Sequence, residues 1–467
     1  MKHAAFAGRL VMVGFGSIGQ GVLPLILRHI DLPRDRITIV TAEERGADLA
    51  AEYGIRFVQQ PVTPENYRAL LTPLLGKGDF LLNLSVDVSS VALIMLAREQ
   101  GAVYLDTCIE PWAGGYTDPS LTPSQRSNYA LRESALALRT SAAAPTAVLT
   151  HGANPGLVSH LVKEALLHVA RDTGVDAGVP RSRESWAALA ERLGVKAIHI
   201  AERDTQTADI AKRRSEFVNT WSIDGFVGEG CQPAELGWGT HEKELPGDGR
   251  WHELGCGAAI YLMRPGASTR VRSWTPLEGP FLGFLITHNE SISIADYCTV
   301  RDDGSVRYRP TVHYAYHPCD DAVLSLHELA GKNWELQADK RLMMDEIGRG
   351  MDELGVLLLG HAKGAYWYGS RLTIEEARRT APHNNATSLQ VTAAVLGGMV
   401  WALENPRAGI VEADDIDHAR VMEIALPYLG EMAGAYSDWT PLRDRGRLFP
   451  EDVDAADPWQ FRNMRVS

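Results

Sequence analysis

Arg9-Leu-Val-Met-Val-Gly-Phe-Gly-Ser-Ile-Gly19 is a short apolar run that ends in three spaced glycines. Ile18, Val22, Leu25, Ile26 and His29 follow at helical spacing, so the glycines stand between a strand and a helix. This is the context that a dinucleotide fingerprint requires. Gly14 makes the tight turn, Gly16 lets backbone approach a pyrophosphate, and Gly19 lets helix pack on strand. Ser17 and Ile18 lie inside the fingerprint, at the helix start where amide groups receive a phosphate. The plain alternative is a glycine turn that merely packs well.

Outward from this turn, strand and helix patterns alternate over the first 150 or so residues. Strand-like runs are Arg36–Val40, Phe80–Leu84, Ala102–Asp106 and Thr146–Thr150, with helical stretches at Ser89–Glu99 and Ala130–Arg139. Alternation of this kind predicts a Rossmann-type, doubly wound parallel sheet with helices on both faces. A helix pattern runs from Leu157 to Ala170, and a polar, charged segment then reaches Val195. From Ala197 to Val312 the signals are mostly strand. Helical patterns return near Leu324, at Asp352–Leu359, at Thr373–Arg379 and at Ser388–Leu403. The expected organisation is an α/β first domain over 1–152, a larger α+β substrate domain over 153–385, and a helical segment over 386–467 packing back on the first domain.

An acid about 20 residues beyond the glycines normally holds the ribose of NAD. Here the second strand ends Val40-Thr41-Ala42-Glu43-Glu44, which moves the acid by two positions and makes Glu43 or Glu44 the candidate. No arginine stands at the strand end itself, although Arg45 is close, so NAD is preferred to NADP. Ligands of open α/β sheets bind outside the carboxyl ends of the strands. Those tips carry Ser85, Thr107, Glu110 and Asn154; for Asn154-Pro-Gly the plain alternative is a turn.

Composition narrows the class. Fifty-nine acids against 46 Lys and Arg give a net charge of −13, and Lys212-Arg213-Arg214 is the only short basic run. That argues against nucleic acid and weakly for a cationic ligand. Met1–Arg9 lacks the apolar core of a secretory signal, and Ala393–Leu403 falls short of the ~18 apolar residues of a membrane helix. The five cysteines are dispersed, as suits reduced thiols. A cytoplasmic protein with no membrane partner is expected.

The second domain mixes carboxylates and tryptophans into Gly-rich apolar strands: Glu202-Arg-Asp204, Asn219-Thr-Trp221, Gly228-Glu229-Gly230, Glu235-Leu-Gly-Trp238 and Thr287-His288-Asn-Glu290. Buried charge is costly unless paired or functional. A carboxylate can anchor an ammonium, and a tryptophan face can hold a cation. Taken singly, each acid reads more simply as a surface charge or ion pair. His288 follows the apolar run Phe281–Ile286, where a general acid/base could stand, although a structural histidine is the commoner case. His313, His317 and Cys319 suggest a metal, but two residues four apart on a strand lie ~13 Å apart, so no metal site is expected.

Several longer blocks are more specific than the fingerprint: Glu110-Pro-Trp112, Gly152-Ala-Asn-Pro-Gly156, His199-Ile-Ala-Glu-Arg-Asp-Thr-Gln206, Pro233-Ala-Glu-Leu-Gly-Trp-Gly239, Thr287-His-Asn-Glu-Ser-Ile-Ser-Ile-Ala-Asp296 and His313-Tyr-Ala-Tyr-His-Pro318. With them the chain resembles the bacterial homospermidine synthases, in the saccharopine-dehydrogenase-like group, over nearly its whole length. The resemblance implies a homodimeric, NAD-dependent aminobutyl transferase of polyamine biosynthesis. Two putrescines become homospermidine and ammonia, or spermidine gives its aminobutyl group to putrescine and leaves 1,3-diaminopropane. NAD is borrowed: it removes hydride from a carbon beside an amine and returns it to the new imine.

The resemblance also implies roles. Glu202, Glu229 and Asp352 match acidic positions around the diamine, and Trp221 an aromatic position that steadies a passing cation. Glu110, Asn154 and His288 match residues near the nicotinamide and the reacting nitrogen. On this reading Glu229 with Asp352 anchors one ammonium, while Glu202, Asn154 and His288 serve the reactive end. Thr41 departs from the family's strand-tip aspartate.

Two rival readings stand beside it. A carboxynorspermidine- or saccharopine-type NAD(P)H-dependent reductase would need Arg or Lys clamps for its carboxylate substrates. A non-enzymatic dinucleotide sensor would have no use for so large a polar-lined second domain.

Overall fold

The computed structural model describes residues 1–140 and 143–466. Six strands, β1 Leu10–Val13, β2 Ile37–Thr41, β3 Arg56–Gln59, β4 Phe80–Asn83, β5 Val103–Asp106 and β6 Ala147–Leu149, form one sheet with a seventh, Ile410–Glu412. Its order is β3-β2-β1-β4-β5-β6 and then Ile410–Glu412, parallel throughout. Strands β1, β4 and β5 are buried along their whole length. Helices cover both faces of such a sheet, so its strands read as continuous apolar runs. The order reverses between β1 and β4, and that switch point opens a crevice at the carboxyl ends. Helix α1, Ser17–His29, starts there.

The second sheet has 11 strands. At its centre lie β7 Ala197–Asp204, β8 Thr311–His317, β9 Met351–His361 and β10 Gly364–Thr373. Strand β7 pairs with β8 in parallel and with β9 antiparallel, and β9 continues antiparallel to β10. Two helices break the strand-rich stretch: α2 Ile223–Cys231, capped by Ser222, and α3 Asn289–Tyr297, all nine residues of which are buried.

Several local expectations are corrected. Asp352–Leu359 is not helical but belongs to β9. A strand buried on both faces loses its period of two, and Gly355-Val-Leu-Leu-Leu359 then fits a helix equally well. The polar segment before Val195 contains a helix, Arg183–Leu193, opened by a Ser182/Ser185 capping box. Strand β3 joins the sheet as an edge, with Phe57 and Val58 packing against the cores on its two faces. The apolar stretch near Ala393 extends into a 19-residue helix, α4 Ala386–Glu404, long and apolar enough by composition to cross a membrane. Its apolar window is 83% buried inside the protein, against α1 and the second sheet.

The C-terminal segment is neither all helical nor confined to the first domain. Ile410–Glu412 joins the first sheet, but Glu431–Ser437 pairs with β10, and Arg465–Val466 pairs with the strand Arg270–Thr275 of the second. The tail thus ties the two sheets together.

Candidate active site

The three glycines differ in what a side chain would meet. Gly14 has φ +89°, and a Cβ there would stand 2.7 Å from the backbone of Leu84 and Ser85. Gly19 faces the Gly14 carbonyl and the Phe15 ring at 3.0 Å. Beside Gly16 there is open space: nothing lies within 4 Å of its would-be Cβ. Gly16 also caps α1 without a side-chain acceptor, so the first amides of the helix, from Ser17 and Ile18, are free for an anion. An open cradle at uncapped amides fits a dinucleotide pyrophosphate.

From this turn a cleft runs between the two sheets. Ile18, Ser85, Thr107, Glu110, Asn154, Glu202, Trp221, Glu229 and His288, all singled out from the sequence, line it together. Gly14, Gly16, Ser17 and Gly19 stand at its cofactor end. Glu43 and Glu44 do not line it; they are exposed just past β2, beyond a buried Thr41. That position fits the far, ribose end of a dinucleotide.

The acids form two groups, and this division differs from the expected one. Asp352 is not beside Glu229. In the first group Glu202 and Asp204, two apart on β7, point to one face, and Asp352 pairs with Asp204 across the β7–β9 ladder. Glu202 accepts hydrogen bonds from Asn154 Nδ2 at 2.9 Å and from the Tyr314 hydroxyl. Asp204 accepts from Thr220 and Gln206, and Asp352 from Thr387 of α4. One oxygen of Asp352, Oδ1, is buried with no partner. Burial pushes Glu202 up to about 8, and the neighbouring Asp204 adds to this. Burial, then Glu202 and Asp204, drive Asp352 well above the usual carboxylate range. Three acids this close in a dry site cannot all ionise unless a cation joins them.

The second group surrounds His288, the residue that opens α3. Its Nε2 lies 2.9 Å from Glu229 and its Nδ1 3.2 Å from Glu290. Burial opposes a charge on the ring, but the Glu290 and Glu229 carboxylates outweigh it and hold His288 well above the ordinary histidine value. With both nitrogens donating to carboxylates, the ring is an imidazolium. Glu110 completes the group; burial, then the charge of Glu229, pushes it up to about 8.

Trp221 lines the same cleft, its Nε1–H donating to the Tyr316 hydroxyl at 3.0 Å. Asn154 sits in a turn closed by Gly156, whose φ of +127° and contact with the Gly152 carbonyl leave no room for a side chain. Tyr314, Cys108 and Thr387 also line the cleft, without a role assigned from the sequence, and Glu290, quoted there among the carboxylates, stands behind His288. The His313-Tyr-Ala-Tyr block held the signal for Tyr314, since alternate residues of a strand share a face. Thr387 carried none, because α4 enters the cleft from elsewhere in the chain. Among the described residues no cluster of His, Cys, Asp and Glu has a metal-binding arrangement.

Comparison with known proteins shows the family and the fold. Residues 10–149 match the saccharopine dehydrogenase NADP-binding domain family, and 152–437 the saccharopine dehydrogenase C-terminal domain family. The chain is 60% identical to a homospermidine synthase of Blastochloris viridis over 465 residues, covering 98% of this chain and 97% of that one. It is 53% identical to a homospermidine synthase of Mesorhizobium japonicum, covering 99% and 97%. The crystal structure of the Legionella pneumophila homospermidine synthase in complex with NAD superposes with a TM-score of 0.93 at 49% identity, over 99% of this chain and 98% of that one.

Proposed function

This chain belongs to the homospermidine synthases of the saccharopine dehydrogenase family, and from that premise we propose how its cleft joins two diamines. The enzyme is an NAD-dependent aminobutyl transferase. It makes homospermidine from two putrescines with loss of ammonia, or from spermidine and putrescine with loss of 1,3-diaminopropane. NAD, when bound, supplies the hydride acceptor for the carbon beside an amine and the donor for the imine that follows.

One observation carries the reading. The cleft is lined by Glu110, Glu202, Glu229 and Trp221, and among the described residues no Lys or Arg lines it. A dication fits such a wall, whereas a carboxylate-bearing substrate of a saccharopine- or carboxynorspermidine-type reductase does not.

The protein's own groups divide the work. An ammonium nitrogen has no lone pair to stabilise an imine, so the reacting amine must first give up a proton. Glu202, oriented by Asn154 and Tyr314, takes it. Asp352 and Asp204 favour the cationic form of whatever nitrogen sits beside them. The Trp221 face steadies positive charge on the migrating aminobutyl group. Glu229 and Glu110 hold the distal ammonium, and His288 exchanges a proton with the nitrogen that leaves or enters. Gly14, Gly16, Ser17, Ile18, Gly19, Ser85 and Thr107 hold the cofactor, with Glu43 at its ribose.

NAD fits better than NADP on charge, because exposed Glu43 and Glu44 would repel a 2′-phosphate. The matched family's own description is of NADP binding, and Arg45 is the only cation adjoining these acids. We further take the chain to act as a cytoplasmic homodimer without nucleic-acid or membrane partners. Its five free cysteines suit a reducing compartment.

The test is incubation with putrescine and catalytic NAD, with polyamines separated afterwards. Homospermidine should accumulate with no net change in absorbance at 340 nm. Net NADH formation or consumption without homospermidine would favour the reductase.

A further inference from the structure

Strand β8 places Tyr314 and Tyr316 on one face, two residues apart, with their rings stacked 5.1 Å apart at 10°. Both are buried. A phenylalanine would fill either position, so the phenol is explained by what its hydroxyl meets. The Tyr314 hydroxyl donates to Glu202, and its ring lies 4.5 Å from the His288 ring. The Tyr316 hydroxyl accepts the Trp221 indole N–H, while Phe226 backs the indole from 5.0 Å. Neither hydroxyl turns to backbone; each meets a side chain that lines the cleft.

We propose that Tyr314 and Tyr316 are paired positioning residues, Tyr314 fixing the Glu202 carboxylate for proton transfer and Tyr316 fixing the Trp221 face over the migrating cation. The inference rests on the transferase reading above. One rigid stack then sets both the site of proton removal and the site of cation stabilisation, and it holds them at a constant separation. Facing Glu202 are Asp204 of its own strand, Asp352 of β9, His288 at the start of α3 and the Tyr314 and Tyr316 phenols of β8. Asp204 raises Glu202, while the Tyr314 phenol and His288 lower it.

The experiment compares Tyr314→Phe with Tyr316→Phe in the full chain, each losing one buried oxygen. Melting temperature and NAD binding are checked first, and kcat and KM for putrescine are then followed across pH. Tyr314→Phe should move the acid limb of kcat/KM up by about one pH unit, a ~10-fold loss below the limb that alkaline pH restores. Tyr316→Phe should leave that limb in place, raise KM several-fold, and shift the tryptophan emission by freeing Trp221. Equal losses with unmoved limbs in both variants would make the pair mere core packing and overturn the inference. So would wild-type profiles in both. Should Tyr314→Phe fail to fold, Tyr316→Phe still decides: unchanged KM and emission overturn the pairing. If the unmodified chain makes no homospermidine, the underlying reading falls and takes this one with it. If it does, and only the tyrosine variants fail to behave as stated, this inference alone falls.

Discussion

Nε2 of His288 lies 2.9 Å from Oε2 of Glu229, so this acid of the cleft wall already holds a cation of the protein's own. Glu290 grips the other nitrogen at 3.2 Å. On the proposed reading a diamine entering this end would join an existing ion pair, and its proton inventory would change with that of the ring.

Glu229→Gln keeps size and removes charge. It should weaken productive putrescine binding several-fold or more, since a charge-assisted hydrogen bond is worth ~1.5–3 kcal/mol. It also removes one of the two anions that raise His288, so the alkaline limb of kcat, where the imidazolium is lost, should move to lower pH. Steady-state kinetics across pH read both effects. Intact putrescine kinetics, with a carboxylate-bearing substrate preferred, would hand the site to the reductase reading.

Glu202 makes the unliganded protein sensitive to alkali. Its folded pKa, pushed up to about 8 by burial, exceeds its unfolded value of about 4.3. Between these values the folded state binds more protons than the unfolded state, so stability falls as pH rises through that window. Glu202→Gln should therefore raise the melting temperature at pH 9 and change it little at pH 4. By the same linkage, putrescine binding at pH 7 should release protons. Calorimetry in buffers of different ionisation enthalpy measures that release, and an unchanged proton count in Glu202→Gln would contradict the assignment.

Gly16 and Gly14 should separate cofactor binding from folding. Space beside Gly16 is open, so Gly16→Val should melt like the unmodified protein yet lose NAD and activity. At Gly14 a Cβ meets backbone at 2.7 Å with φ at +89°, so Gly14→Ala should cost stability, with ~1–3 kcal/mol for the backbone conformation alone. Thermal melts with and without NAD distinguish the two, and wild-type NAD affinity in Gly16→Val would refute the fingerprint.

Trp221 should act through its face. Trp221→Phe keeps a ring but loses the bond to Tyr316, so part of the activity should survive; Trp221→Ala should retain little. Cation–π attraction of ~0.5–2 kcal/mol is at stake, besides packing. Equal turnover in the two variants would reduce Trp221 to a wall.

Replacing Glu43 and Glu44 together with Ala should weaken NAD more than NADP, as read from the ratio of their dissociation constants. An unchanged ratio would leave the ribose to Thr41 or to backbone.

The first domain was legible because its signals are local. A strand, three glycines at set spacing and an amphipathic helix are adjacent in the chain, and the φ of Gly14 is a property of one residue. The longer blocks named the family and, with it, six side chains that line the cleft: Glu110, Asn154, Glu202, Trp221, Glu229 and His288. The sequence by itself thus determined the cofactor turn, the doubly wound sheet and the acidic, aromatic character of the site.

Only the tertiary structure decided how those side chains are grouped. Asp352 joins Glu202 and Asp204, not Glu229, because β9 runs antiparallel beside β7 and its register sets Asp352 opposite Asp204. That partnership spans about 150 residues, and β9 itself reads as helix when taken alone. Glu229 and His288 meet because two short helices, α2 and α3, interrupt a strand-rich stretch and aim their ends at one cleft. Pairing between distant segments depends on sheet register and on which faces become buried together, and no spacing along the chain encodes either.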